Sequence, residues 1–373
     1  MSADFAPIVT AANDPSGMAL ASIRDCVRAA DTDRTRLYLR GGDTKAFYGQ
    51  PSNGEPLDLR PYAGIVEYEP TELVITARCG TPLAELESAL AQRQQCLAFE
   101  PPHFGSAATV GGMVAAGLSG PRRASAGAVR DFVLGAVLMT ASGELLHFGG
   151  QVMKNVAGYD ASRLLAGSMG ILGPIVQVSL KVLPMPAAET SLSISMGLRD
   201  ALLQMNEWGG QPLPISATSW AGAHLRVRLS GAAAAVQAAV QRMVSQQGAQ
   251  VLDAEEALAH WAALREHTDA FFDGDEPLWR LSVPSTAAIF EFPGRQLVEW
   301  GGALRWFKTH AAPDLVRQAA ATVGGSATLF RARDRSIAVF DTLPAPLLEL
   351  NRRIKREFDP RGIFNPGRLV AGL

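Results

Sequence analysis

The chain has 373 residues, enough for two or more domains with separate cores, and 47% of them are hydrophobic. Its 34 basic and 36 acidic residues leave a net charge of −2, which gives no electrostatic basis for binding nucleic acid or an anionic membrane surface. Cys26, Cys79 and Cys96 are odd in number and far apart, so they fit neither a disulfide framework nor a paired-cysteine metal or iron–sulfur pattern.

The N-terminus carries an early acid and lacks the basic and apolar regions of a signal peptide. No apolar run approaches the roughly 18 residues that span a bilayer. A cytoplasmic location with reduced thiols is expected, and docking on a membrane complex stays open.

Residues 36–40 read as a strand that runs straight into Arg40-Gly41-Gly42-Asp43-Thr44-Lys45. Strands follow at 64–69 and 72–78. Thr81 then stands as an N-cap with Pro82 at the first helical position. Leu83, Leu86 and Leu90 recur at helical spacing, so a helix runs to about Arg93. A second glycine-rich segment occupies residues 105–117. Each glycine segment adjoins an apolar, strand-like run. Glycine adopts positive φ and lets backbone N–H groups come close to an anion, so such loops suit a pyrophosphate. One loop is weak evidence; two point to a long phosphate-bearing cofactor held between them.

Residues 133–141 and 144–148 flank Ser142-Gly143, a hairpin signal. Next comes an alternating strand, with Val176, Val178, Leu180 and Val182 on one face and Gln177, Ser179 and Lys181 on the other. It ends at Pro184-Met185-Pro186, where a domain boundary is placed. Beyond it strands alternate with alanine-rich helices. Strands are expected at Leu225 to Leu229, 278–283, 303–307 and 328–333. Helices are expected at 232–247 (closed by Gly248), 255–271 and 313–323. The fold class is α+β. Residues 1–186 form one domain, 187–345 a smaller α+β domain of antiparallel sheet plus helices, and 346–373 a tail returning to the first. A basic helix at 347–358 opens that tail, its charges read as a solvated face or a partner surface.

With these residues in view, the first domain resembles the two-part FAD-binding domain of the vanillyl-alcohol oxidase / p-cresol methylhydroxylase (PCMH) superfamily. Arg40 to Lys45 resembles its first phosphate loop, and Thr109-Val110-Gly111-Gly112 its second signature. Gly158-Tyr159-Asp160, residues 165–173 and the alternating strand resemble the block that closes the domain. Residues 358–368 resemble the tail of the same oxidases. The overall layout is similar to the FAD-binding subunits of bacterial three-component glycolate oxidases. That resemblance implies an FAD-dependent oxidoreductase acting on a small 2-hydroxy acid, glycolate or D-lactate. It also implies a second FAD-binding subunit and an iron–sulfur subunit as partners.

The resemblance further implies that the amides of Gly41, Gly42, Asp43 and Thr44 serve the FAD pyrophosphate. Those of Thr109, Val110, Gly111 and Gly112, with the Thr109 hydroxyl, would hold the flavin–ribityl–phosphate stretch. Gly170 and Ile175 would bracket the adenine. Arg40, Lys45, Pro101, Gly105, Gly117, Gly158 and Tyr159 complete the expected cofactor set. Thr44 stands where some relatives carry a histidine joined covalently to the flavin, so the FAD is expected to be non-covalent. The histidine-rich metal motif of larger relatives that oxidise 2-hydroxy acids is not found, and no metal is expected. His103, near the flavin loops, is read either as facing the ring or as an ordinary loop histidine. Arg122, Arg123 and Arg130 are read as carboxylate-binding, phosphate-contacting or surface-paired. His260 and His267, seven apart, are read as a solvated helix face. No general base is named. A stand-alone FAD enzyme on another alcohol or hydroxy acid, and a scaffold that has lost turnover, remain the rival functions.

Overall fold

The computed structural model describes residues 15–150, 161–370 and 372–373. Leu83, Leu86 and Leu90 share one stripe of the helix Leu83–Ala91, and all three are fully buried. With Val110, Met113 and Val114 of the helix Val110–Ala116 they cover one face of a five-stranded antiparallel sheet. Its strand order is Ile65–Glu69, Val74–Arg78, Ile175–Lys181, Val133–Met139, Leu145–Gly149. The last two strands form the expected hairpin, its turn closed by Gly143 at φ 75°.

Two local expectations are corrected. Thr81 does not cap the helix; Pro82 occupies the cap position. The Thr81 hydroxyl instead donates to the Arg78 carbonyl (2.6 Å) and accepts the Gly64 N–H (2.8 Å), tying the sheet to its preceding turn. In the alternating strand, a register shift opposite Val137 and Leu138 sends Val176 away from the leucines that Val178 and Leu180 touch. Val176 packs instead with Leu20, Ile23 and Val27 of the helix Pro15–Asp33. Gln177 and Ser179 are buried as well, and Ser179 Oγ meets Thr76 Oγ1 at 2.8 Å.

Eight strands make the second, wholly antiparallel sheet. Their order is Gln250–Val251, Ala188–Ser195, His224–Gly231, Ile215–Ala221, Arg295–Glu299, Leu304–Lys308, Leu278–Ser282, Ser326–Arg331. Period-2 alternation gives this sheet two different faces. The helices Leu198–Gly209, Ala233–Gln247 and Pro313–Thr322 cover one face through Met205, Trp208, Val236, Met243 and Val316. The other carries Leu278, Leu297, Leu304, Trp306 and Phe330, which meet Tyr48, Ala116, Leu118 and Met169 from the glycine-loop half. The expected helix from 255 to 271 stops at Glu266. His267 adopts a left-handed conformation (φ 54°), and a 3-10 turn, Ala270–Phe272, follows.

The helix Ala345–Phe358 and the residues after it return to the first sheet. Lys355 Nζ is buried and donates to Asp359 Oδ2 (2.6 Å), the Ile171 carbonyl (2.6 Å) and the Phe364 carbonyl (2.8 Å). Asp359 also accepts the N–H groups of Ile363 and Phe364. Burial lowers the Lys355 pKa, and Asp359 opposes the shift.

Candidate functional site

The strand Leu37–Arg40 pairs in parallel with Glu55–Asp58 and delivers the first glycine loop to the second. At Gly42 an added Cβ would lie 1.5 Å from the Ala107 carbonyl oxygen, and at Gly41 2.3 Å from Thr109 Oγ1. These glycines are therefore what lets the loops touch. Among the described residues, the N–H groups of Gly41, Gly42, Asp43 and Thr44 have no acceptor. Four adjacent unsatisfied donors on one turn form a nest for an anion. Arg40 lies 3.0 Å from Asp43, which also accepts the Tyr38 hydroxyl at 3.2 Å.

The second loop behaves differently, which corrects part of the expectation. The Val110 and Gly111 N–H groups are already spent on the Thr81 and Cys79 carbonyls. Thr109 caps its own helix by accepting the Gly112 N–H at 3.2 Å. Of the four expected amides only the Thr109 N–H has no acceptor among the described residues, so this loop contributes mainly shape: a Cβ at Gly111 would sit 2.7 Å from Cys79 Cβ. Gly117 ends the helix in a left-handed conformation, φ 65°. Gly105 packs over Thr44 at φ 137°.

Two adjoining cavities follow the loops. Thr44, Lys45, Thr109, Gly112 and Ala116 line one; Gly111, Gly170, Ile175 and Asn365 line the other. The tail closes both. Asn365 accepts the Leu39 N–H (2.8 Å) and donates to the Met169 carbonyl (2.8 Å). Arg368 donates to the carbonyls of Tyr48 and Gln50. Pro101 is buried but lines neither cavity; Gly158 and Tyr159 lie outside the described residues.

Lys45 leads from the loop toward the second sheet. Its ammonium donates to the His103 carbonyl at 3.2 Å and lies 5.6 Å over the Phe104 ring. Burial pulls its pKa down to about 8, against the pull of Glu266. The His103 ring is held by Glu87 (2.9 Å), and Glu266 accepts its backbone N–H. His260 and His267 are not on a solvated face. His260 Nε2 meets Ser219 Oγ at 2.9 Å. His267 stacks on Phe272 at 4.0 Å and packs beside Phe104, Trp306 and Phe330. Burial, then Arg331 and Arg280, lowers the His267 pKa well below the usual value. Of the arginines, Arg122 pairs with Glu100 and Glu189, and exposed Arg130 with Asp131. Burial alone would raise the Glu100 carboxyl, but Arg228 and Arg122 outweigh it and hold it below its ordinary range.

A cavity at the junction between the two sheets is lined by Phe104, Gly120, His267, Arg280, Glu299 and Trp306. Sheet register explains the grouping, with Arg280 opposite Trp306 and Glu299 opposite Leu304. The Trp306 indole N–H donates to Glu299 at 2.8 Å. Burial pushes the Glu299 pKa up to about 7, although that hydrogen bond and Arg280 oppose it. The folded state therefore binds a proton that the unfolded chain releases near its ordinary 4.5. Stability is expected to fall by about 3 kcal/mol as pH rises from 4.5 to 7. Glu299→Gln keeps an acceptor for Trp306 and should flatten this decline, as urea midpoints at pH 5 and 8 would reveal. Equal pH slopes in the two proteins would refute it.

Comparison with known proteins agrees with this architecture. The FAD binding domain profile matches residues 19–149, and the FAD linked oxidases, C-terminal domain profile matches 339–369. Over 348 residues the chain is 47% identical to the glycolate oxidase subunit GlcE of Escherichia coli (strain K12), covering 93% of this chain and 96% of that protein. It is 31% identical over 183 residues to a D-lactate dehydrogenase of Archaeoglobus fulgidus, spanning 41% of that protein's length. The fold matches that of an alkyldihydroxyacetonephosphate synthase with a TM-score of 0.66 at 16% identity, over 93% of this chain and 75% of that one. The free-amide loop and the cavities beside it fit the cofactor these profiles describe. The chain belongs to the family of the glycolate oxidase subunit GlcE, FAD-dependent oxidoreductases built on the vanillyl-alcohol oxidase / PCMH type of FAD-binding fold.

Proposed function

We propose that this chain is the FAD-binding subunit of a complex that oxidises glycolate or D-lactate to the 2-oxo acid. In this proposal the iron–sulfur partner takes the electrons onward, and a second flavoprotein subunit completes the assembly. One observation supports it above the rest: the four free amides of Gly41 to Thr44 lie beside Lys45 and the cation-lined cavity between the sheets.

The first loop is assigned the cofactor pyrophosphate, and Thr109, Gly112, Gly170 and Ile175 the walls around the rest of it. FAD, when bound, accepts a hydride equivalent from the substrate carbon. The protein's own residues hold the substrate, exclude water and accept the hydroxyl proton. Thr44 offers no imidazole for a covalent link, so the cofactor is held by hydrogen bonds and packing. Cys79 is buried, and Cys26, Cys79 and Cys96 are all unpaired, which gives this chain no thiolate set for an electron-carrying cluster. No helix among the described residues is long and apolar enough to cross a membrane.

A stand-alone enzyme is the second reading, since this chain's own Arg280, His267, Glu299 and Trp306 line the junction cavity. The test for both is an absorption spectrum of the purified chain before and after acid precipitation, followed by anaerobic glycolate or D-lactate. Flavin bands released into the supernatant support non-covalent FAD. Bleaching by a hydroxy acid places a working substrate site in this chain, whereas bands that persist move the oxidation to a partner. A colourless protein that cannot be reconstituted with FAD would overturn the proposal.

A further inference from the structure

Most buried arginines of this chain are tied to oxygen acceptors. Arg228 meets Glu100 at 2.8 Å, Arg305 the Ala288 carbonyl at 2.6 Å, and Arg368 the Tyr48 carbonyl at 2.8 Å. Arg123 and Arg280 are exceptions. Both are half-buried, and among the described residues neither guanidinium has a hydrogen bond or an ion pair. Both lie against one ring, that of Trp300, with Arg123 at 4.5 Å and Arg280 at 5.3 Å from its centroid. The ring itself is fixed, because the Trp300 indole N–H donates to the Gly120 carbonyl at 3.1 Å. Two like charges held against one ring repel each other, and at Arg123 burial and then Arg280 lower the pKa. Such an arrangement is stable when an anion sits between the forks.

We propose that Arg123 and Arg280, held on Trp300, form a clamp for the carboxylate of a short 2-hydroxy or 2-oxo monocarboxylic acid. The position supports this. Arg280 lines the junction cavity, and Arg123, from the segment that follows the second glycine loop, lies on Trp300, whose indole is bonded to the cavity residue Gly120. Phe104, Trp306 and Phe330 give the cavity an apolar side, which suits a ligand charged at one end only. The buried Glu299 lies in the same cavity, on the sheet face that carries Arg280, where it can receive the hydroxyl proton of an anchored hydroxy acid.

The clamp rests on the substrate class proposed above, and the same pair would also suit a phosphate of the cofactor. Titrating the FAD-loaded protein with oxamate, a monocarboxylate that cannot be oxidised, separates the cases. Binding is read by calorimetry and by quenching of tryptophan fluorescence. Arg280→Met and Arg123→Met should each weaken oxamate binding by about 10- to 100-fold while leaving the flavin-to-protein ratio unchanged. Arg280→Lys, which keeps the charge but not the fork, should fall between. Arg130→Met, which removes an exposed arginine paired with Asp131, should bind as the unaltered protein does. Loss of flavin from the methionine variants would assign the pair to the cofactor and overturn the clamp. Unchanged oxamate affinity, or no binding to the unaltered protein at millimolar concentration, would overturn it too. Glycolate bleaching with arginine-independent oxamate binding would leave the oxidation intact and remove only the clamp. Arginine-dependent binding without bleaching would retain the clamp and place the chemistry elsewhere.

Discussion

Gly42→Ala is expected to destabilise the protein by about 4 kcal/mol or more and to strip it of flavin. A new Cβ there falls 1.5 Å from the Ala107 carbonyl oxygen. The obstacle is backbone, so no side-chain rotation relieves it, and the cost should exceed the usual 1–3 kcal/mol of an overpacked core. The first loop must move away from the second, and the four free amides of Gly41 to Thr44 lose the alignment that makes them a nest. Gly209→Ala provides the contrast, because nothing lies within 4 Å of its added Cβ; its effect should stay within about 1 kcal/mol. Urea midpoints and the ratio of flavin to protein absorbance measure both effects. A Gly42→Ala protein that keeps its full flavin complement would show that the loops need not touch.

Asp359→Ala should cost about 3–5 kcal/mol, the range for leaving a buried charge without its partner. Lys355 would keep two carbonyl acceptors but no counter-charge, and the N–H groups of Ile363 and Phe364 would lose their acceptor. Flavin affinity should fall along with stability, because the next turn of chain carries Asn365 and Arg368 to the cofactor region. Adding Lys355→Met removes the orphaned charge and should recover part of the loss. Chemical denaturation of the single and double variants measures this, and a single-variant loss below about 1 kcal/mol would contradict it.

The parts of this fold that show in the sequence are those whose signal is local. Leu83, Leu86 and Leu90 announce a helix by their spacing, Ser142-Gly143 a hairpin, and Gly248 a helix end, because each rests on neighbouring residues. The glycine loops are legible for the same reason. What the sequence hides is decided by distant partners. The strands Ala188–Ser195, Ile215–Ala221 and Arg295–Glu299 have mixed polar patterns, and their places in the large sheet are set by pairing across long stretches of chain. The helix Pro15–Asp33 has a weak signal in the sequence because its buried residues, Leu20, Ile23, Val27 and Ala30, are diluted by charged ones.

The junction cavity was hidden in the same way. Arg280 and Glu299 are 19 positions apart and meet only through sheet register. One signal was available: Arg280 interrupts a strand whose neighbours Trp279 and Leu281 are deeply buried. A charge at such a position needs a partner or a purpose. The spent amides of Val110 and Gly111 could not have been foreseen, since their acceptors come from residues about 30 positions earlier in the chain.

The Leu39 N–H is bonded to the side chain of Asn365, 326 residues later. A ribosome must therefore deliver every residue up to Asn365 before the walls of the proposed flavin pocket can meet. Until then the first glycine loop and the strand behind it emerge with backbone groups unsatisfied and apolar surface uncovered, the condition in which nascent chains aggregate or engage chaperones. Cofactor loading should thus wait until Asn365 has left the ribosome. A nascent chain stalled short of Asn365 should remain accessible to protease even when FAD is abundant.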